Sequence, residues 1–331
     1  MNPATQSALI HGAVYGTIVC LAVLTSIAMG IWFERKFAGR MQSRIGPTYT
    51  GPVGLLQPVA DVVKLLQKED IIPRDADHAL FNLAPPLAAI FSLAAAAVVP
   101  FSAKVISADL DVGVVYILGV GGLMVVPTFM AGWSSNNKFA LLGGMRAIAQ
   151  SVSYGVPLVL ATMVPVVLAG SLSVSGIVDW QATHHWFAVW PILPGLPAFL
   201  LFYLAMLAES NRIPFDIPEA ESELVAGITT EYTGAKFTLF YMAEYVHTMV
   251  GSAVAAALFF GGWDGPFAPG LHWMVLKTLL IFVSVYWVRW SLVRFRSDQL
   301  MDLCWKRLTP LGLGLVFLAA AFVQYWPGGA R

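Results

Sequence analysis

Long apolar stretches separated by short polar ones set the pattern of this chain. A membrane-spanning helix needs about 20 mostly apolar residues. Eight stretches qualify: about residues 9–33, 79–101, 112–133, 146–170, 191–208, 237–262, 272–290 and 309–326. Several carry proline, at Pro85, Pro86, Pro127, Pro157 and Pro165, which membrane helices tolerate where neighbours satisfy the freed backbone groups. No barrel-like run of alternating residues occurs. The pattern therefore predicts an all-α polytopic membrane protein with eight transmembrane helices. Residues 51–68, GPVGLLQPVADVVKLLQK, are different. Leu55, Leu56, Val59, Val62, Val63 and Leu66 recur at helical spacing, with Asp61, Lys64 and Lys68 elsewhere. Too polar to span, residues 53–68 are expected to form an interfacial amphipathic helix; a surface helix packed on the bundle is the plainer alternative. Nothing is left over for a soluble domain, so residues 1–331 read as a single membrane domain.

Composition agrees. Hydrophobic residues make up 58% of the chain and charged ones 11%, against about 25% charged in a soluble domain. The net charge of zero hides strong segregation. Of the 19 cations, the loops after spans one, three, five and seven hold seven, two, two and five. Lys104 and Arg331 fall on the other side and Lys277 lies inside span seven. Cations in short loops mark the cytoplasmic side, so both termini are expected outside. The first basic residue is Arg35, so the first stretch lacks the cationic start of a cleaved signal and is expected to be retained. The two cysteines, Cys20 and Cys304, are too few for a four-cysteine iron–sulfur or zinc site.

Against that sparse charge, residues 208–232, AESNRIPFDIPEAESELVAGITTEY, gather Glu209, Asp216, Glu219, Glu221, Glu223 and Glu231 around one cation, Arg212. The segment 209–236 is expected to be an acidic cytoplasmic loop. Helix capping explains part of it: Asp216 and Glu219 have D-x-x-E spacing, and Pro218 suits a first helical turn. Capping leaves Glu209 and Glu223 unexplained, and crowded carboxylates raise one another's pKa, which suits proton exchange. Both readings stand. Glu244 lies about seven residues into span six, roughly 10 Å deep, where a carboxylate costs about 2.5–3.5 kcal/mol and is a functional candidate by default. Its plain alternative is a side chain snorkelling to the surface. Tyr245 and His247 adjoin it, and Lys277 in span seven could neutralise it if the two meet. ERKFAGRMQSRIGPTYTGP (34–52) and RWSLVRFRSDQLM (289–301) are two further charged exits from the membrane. Topology and lipid headgroups alone account for their cations.

The segments ERKFAGRMQSRIGP with GPVGLLQPVADVVKLLQKED, AGWSSNNKFALLGGMRAIAQSVSY, AESNRIPFDIPEAESELVAGITTEY with LFYMAEY, and VLKTLLIFVSVYWVRWSLVRFRSDQLM resemble the H-type membrane subunits of complex I, the proton-pumping NADH:quinone oxidoreductase. They run in register from about residue 9 to 326. The resemblance implies eight spans, an outside N-terminus and a place between the membrane arm and the redox arm, beside other complex I subunits. It implies a chamber for the quinone headgroup, with residues 53–68 near its mouth. Glu34, Arg35, Arg44 and Asp61 match the family's first-loop charges, and Arg289 and Arg294 its cations beside the chamber. Arg212, Asp216 and Lys277 are likewise expected on the quinone side. Glu209, Glu219, Glu221, Glu223, Glu231 and Glu244 match positions thought to carry the coupling signal and protons. Quinone is the implied substrate; no cofactor is expected on this chain, and NADH, FMN and iron–sulfur clusters belong to partner subunits. The implied location is the bacterial cytoplasmic (inner) membrane. Two departures stand out. Gly155 occupies the place of a family glutamate in SVSYGV, and Val126 that of a tyrosine. The first removes an intramembrane acid, leaving water or an acid of a neighbouring subunit to bridge the gap. Val293 and Ser297 replace a common proline and tyrosine.

Three other readings fit parts of the pattern. The homologous subunit of a membrane-bound hydrogenase or other-donor complex would tend to lack the full first-loop and acidic-loop signatures. A stand-alone ion transporter predicts inverted repeats, and none is convincing here. A structural anchor leaves Glu244 and Lys277 unexplained.

Overall fold

A computed structural model describes residues 3–103, 105–189 and 191–325, except for the side chains of residues 3–13, 19, 192, 221 and 222. The termini and Lys104, which bear on the expected topology, lie outside the described residues.

The described chain is helical, and its one β contact is an isolated bridge between Ser102 and Val105. The helices are α1 (Pro3–Met41), α2 (Gln57–Gln67), α3 (His78–Ala96), α4 (Gly113–Leu123), α5 (Val125–Ser134), α6 (Lys138–Ala169), α7 (Val174–Thr183), α8 (Ile192–Glu209), α9 (Glu221–Leu224), α10 (Gly234–Phe259), α11 (Leu271–Ser291), α12 (Ser297–Asp302) and α13 (Thr309–Tyr325). Among the described residues seven helices are long and apolar enough to cross a membrane. The fifth expected span is the shorter apolar helix Leu193–Glu209.

Local chemistry sets the boundaries. Asp77 caps α3, its carboxylate accepting from Ala79 N at 3.1 Å and Leu80 N at 3.3 Å. Asn137 does the same for α6 through Phe139 N at 2.8 Å. These side chains satisfy backbone donors that a helix start leaves open. Gly170 ends α6 in the left-handed region at φ 65°, a conformation glycine adopts without a Cβ penalty. The third span breaks between α4 and α5 because Pro127 has no N–H to offer the carbonyl of Leu123. The last span starts earlier than expected. Ser297–Asp302 and a π-helical turn, Leu303–Leu308, lead into α13.

Helix α6 packs on α5, α8 and α13, while α10 packs on α3, α8 and α11. Their shared interior is a continuous apolar cluster that includes Leu158, Leu201, Met206, Val246, Phe259 and Val285. The turns fall at two ends. At one, Asp77 N donates to Ser134 O at 3.0 Å, Phe295 N to Pro214 O at 2.9 Å, and Arg289 meets Glu34. This is the charged end. At the opposite end Val114 N donates to Leu172 O at 3.0 Å and Ala188 N to Phe259 O at 2.9 Å.

Helix α7, which hydrophobic periodicity did not suggest, lies at that opposite end. Ser173 caps it through Gly176 N at 3.3 Å. From it, the Gln181 amide donates to Ala257 O at 2.9 Å and accepts from Gly261 N at 3.0 Å. Lys277 serves the same turn. Its ammonium donates to the carbonyls of Phe260 at 2.5 Å, Gly262 at 3.0 Å and Asp264, and sits 4.0 Å from the Trp186 ring centroid. Lys277 thus gathers the turn that follows α10, binding the carbonyl of its C-cap residue Phe260 and two carbonyls beyond it. A hydrogen bond to a charged group contributes about 1.5–3 kcal/mol. Lys277→Met is therefore expected to destabilise the protein by about 2 kcal/mol, measured as a lower midpoint in thermal unfolding of the purified protein.

Candidate functional site

At the charged end, helical spacing and one re-entering loop bring together residues far apart in sequence. Glu34, buried near the end of α1, lies 2.6 Å from Arg289 Nη1 in the last turn of α11 and accepts from the Tyr245 hydroxyl of α10. Tyr241, one turn before Tyr245, meets it hydroxyl to hydroxyl at 3.0 Å. The Arg212 guanidinium lies 4.1 Å from the Tyr245 ring centroid and 3.7 Å from Glu244. Glu244 in turn lies beside Glu219, close enough for each buried carboxyl to act on the other. Asp216 is held by Arg294 at 2.9 Å. The order Arg289–Glu34–Tyr245–Arg212–Glu244–Glu219 therefore crosses α11, α1, α10 and the loop as one buried polar chain.

The loop reaches this position because it is pulled inward. Ser210, Arg212, Phe215, Ile217, Ala220, Leu224 and Ile228 are all buried. Gln150 of α6 donates its amide to Ala208 O at 2.6 Å, Phe215 O at 2.9 Å and Asn211 Oδ1 at 3.1 Å. The Phe215 and Phe295 rings pack with centroids 5.5 Å apart. The D-x-x-E spacing does not form a cap: α9 starts at Glu221, with Ala220 before it, and Asp216 and Glu219 are engaged elsewhere. Of the two readings of this loop, the crowded-carboxylate one describes Asp216, Glu219 and Glu244.

Burial pushes the Glu219 carboxyl well above its ordinary range, and the Glu244 carboxylate beside it pushes in the same direction. Asp216 is raised as well, by burial, with Arg294 opposing. A proton between Glu219 and Glu244 relieves two like charges in a low-dielectric site.

The remaining acids divide by position. Glu209, the last residue of α8, lies 3.4 Å from His247 Nε2. A Cβ at Gly121 on α4 would strike the Glu209 carboxylate and come within 3.8 Å of His247 Cε1, so that glycine makes room for the pair. Glu223 is bound to Arg146 at 2.5 Å and Glu231 to the Asn137 amide at 2.6 Å. Both are thus tied to the start of α6, away from the central chain. The Glu221 side chain lies outside the described residues.

Arg35 is paired with Asp61, which also accepts from Gln57 Nε2 at 3.2 Å. This joins α1 to α2 at the edge of the cluster. Arg44 is exposed and donates to Gln42 at 2.7 Å. Lys277 does not join the site; it is engaged at the opposite end and does not neutralise Glu244. Glu244 does not snorkel either, since Arg212 meets it inside the bundle. Val126 points outward, 43% exposed, and a Cβ at Gly155 would meet nothing within 4 Å. The hydrophobic pattern does not single out Gln150, Tyr286 or Gly121. A glutamine in an oily stretch and a tyrosine near a helix end are the signals that point to the first two.

Several polar atoms here are buried without a hydrogen bond, among them Tyr286 Oη, Arg212 Nε and Asp216 Oδ1. Buried polar groups are nearly always satisfied, so such a group asks for water or a ligand. Among the described residues no three His, Cys, Asp or Glu side chains gather to hold a metal ion.

The fold and site together define a polytopic helical membrane protein with a buried acid–base network at one end. The NADH dehydrogenase family model matches residues 15–320. The chain is 47% identical over 311 residues to the NADH-quinone oxidoreductase H subunit of Dehalococcoides mccartyi (strain CBDB1), covering 94% of this chain and 86% of that one. It is 44% identical over 338 residues to the corresponding H subunit of Brevibacillus brevis, covering 99% of each. The H subunit of Rickettsia prowazekii is 45% identical over 315 residues, covering 93% and 90%. The chain belongs to the NADH dehydrogenase family, in line with the four motifs.

Because the Glu219 carboxyl is raised, the folded state binds its proton more tightly than the unfolded one. Stability from this group is therefore full below the ordinary carboxylate range and falls as pH rises through the raised value. Glu219→Gln keeps a donor toward Glu244 and removes that loss. Its thermal midpoint is expected to exceed that of the wild type increasingly as pH rises, in unfolding scans of the purified protein across a pH series.

Proposed function

We propose that this chain is the membrane subunit of an NADH:quinone oxidoreductase that walls the quinone chamber and couples quinone reduction to proton translocation. The observation that carries this reading is the buried chain from Arg289 and Glu34 through Tyr245 and Arg212 to Glu244 and Glu219. A quinone that gains electrons must gain protons. In a poorly screened site, the change of charge is felt by every ionisable group nearby. A carboxyl pair sharing one proton is the kind of group that responds.

In this reading eight helices span, the seven long ones and α8, with both termini outside. The segment 209–236 faces the cytoplasm. Helix α2 lies at the interface beside the chamber mouth; its Val59, Val62, Val63 and Leu66, all exposed, meet lipid. Glu34, Arg35, Arg44, Asp61, Arg212, Asp216, Arg289 and Arg294 serve the quinone side. Glu209, Glu219, Glu221, Glu223, Glu231 and Glu244 serve the coupling side. Other subunits of the complex supply the NADH site, FMN and iron–sulfur clusters, and the assembly sits in the bacterial cytoplasmic membrane. The unpartnered Tyr286 hydroxyl and Arg212 Nε suit a polar headgroup or its water.

The test is Glu34→Gln in the intact complex, in native membranes. Removing the charge that holds Arg289 and Tyr245 is expected to slow quinone reduction on the order of tenfold or more and to weaken quinone-analogue inhibitors. Lys277→Met, once assembled, is expected to leave both unchanged. Wild-type quinone reduction and inhibitor sensitivity in Glu34→Gln would remove the chamber from this cluster.

A further inference from the structure

His247 stands apart from the polar chain just described. It lies on α10 and is buried at 7% exposure, and neither ring nitrogen completes a hydrogen bond. Among the described residues its one charged neighbour within ion-pair distance is Glu209, at 3.4 Å from Nε2. A histidine buried without a hydrogen bond in an apolar bundle is costly, so its surroundings are informative.

Two cavities meet at this pair. The first, about 30 Å³, lies toward the charged end, where Glu244, Ser151, Tyr154 and Asn211 contribute to its lining. The second, also about 30 Å³, has mostly apolar walls and runs past Thr162 to Val174 and Leu258 at the opposite end. Among the described residues only Glu209 and His247 line both cavities. Either volume is enough to admit a water molecule, and in the second cavity Glu209, His247 and Thr162 are the polar side chains that would hold one. From His247 to Leu258 along α10 is about 16 Å, a large part of the apolar thickness of a bilayer.

We propose that His247 is the proton-transfer partner of Glu209, and that the pair is the junction between a charged-end water site and a water path through the apolar cavity. The Glu209 carboxyl gives its proton to Nε2, so the O–H bond breaks as the N–H bond forms and a carboxylate–imidazolium pair results. Nδ1 then releases its proton to water in the outer cavity. The ring is left neutral with its proton on Nε2; a flip of the imidazole turns a free nitrogen back toward the carboxylate, which takes a new proton from the charged-end side. No oxidant or reductant enters the step. The ionisable groups around His247 are Glu209 of α8, Tyr154 of α6 and Glu244 of its own helix. The Gly121 face of α4 and the Gly251–Leu258 stretch of α10 contribute none. The room left by Gly121 fits this role, since any side chain there would drive the carboxylate off the ring.

The inference rests on the coupling role proposed above, and its test is separable from that one. His247→Gln keeps the shape and hydrogen-bonding capacity of the ring but cannot carry a proton. In intact complex in native membrane vesicles, both His247→Gln and Glu209→Gln are expected to lower NADH-driven proton translocation by about tenfold. Assembly and inhibitor binding at the quinone site should stay normal. A merely structural histidine is replaced by glutamine without loss, so wild-type translocation in His247→Gln overturns the proposal, whatever Glu34→Gln does to quinone reduction. Gly121→Ala is the second arm: it leaves both ionisable groups in place, yet is expected to reproduce the defect by separating them.

Discussion

Charge buried in a poorly screened interior has to be matched where it stands, and Arg212 is where this molecule meets that requirement. The guanidinium cannot lose its proton, and it is 3% exposed. It therefore needs anions and an aromatic face, and it takes Glu244 and Tyr245. That need draws the loop after α8 into the bundle. Once Arg212 is seated, Asp216 and Glu219 follow it, and each must find its own partner. A buried pair broken on one side is far costlier than an exposed one, so the members of this network hold one another in place.

Other features serve to keep the loop where Arg212 needs it. The Gln150 amide ties down two of its carbonyls and a side chain. The backbone bond from Phe295 to Pro214 joins the loop to the α11–α12 link. Arg289, in the last turn of α11, and Arg294, within that link, reach Glu34 and Asp216. A displacement at one carboxylate therefore acts on two helix ends at once. Deeper in the bundle, Glu209 and His247 occupy a site with far fewer polar neighbours.

The spanning helices were largely legible because their signal is local: a long oily run announces itself, and the observed bounds differ by a few turns at most. The exceptions have local causes. The start of α6 is polar but capped by Asn137, α12 is too charged to count as oily, and α7 is short and amphipathic. The site was legible as a list of charges but not as a set of pairs. Glu244 stood out by its depth, yet its partner is Arg212 rather than Lys277, because pairing depends on which helix ends meet. The spacing of Asp216 and Glu219 offered a cap, but tertiary partners outweighed a local bond. Gly121 and Gln150 matter only through what lies opposite them, which a single chain does not display.

Helix α8 is short, and its ideal length has a wider consequence. Seventeen apolar-helix residues, Leu193–Glu209, extend about 26 Å, less than the roughly 30 Å of a typical hydrocarbon core. In the proposed arrangement, a spanning helix this short brings the headgroup level down to Glu209 and to the start of the loop that follows it. The surrounding bilayer must pinch inward there or leave those groups to the protein's own shielding. Lipid chain length becomes a control on the electric environment of the site, acting through membrane thickness without any specific lipid contact.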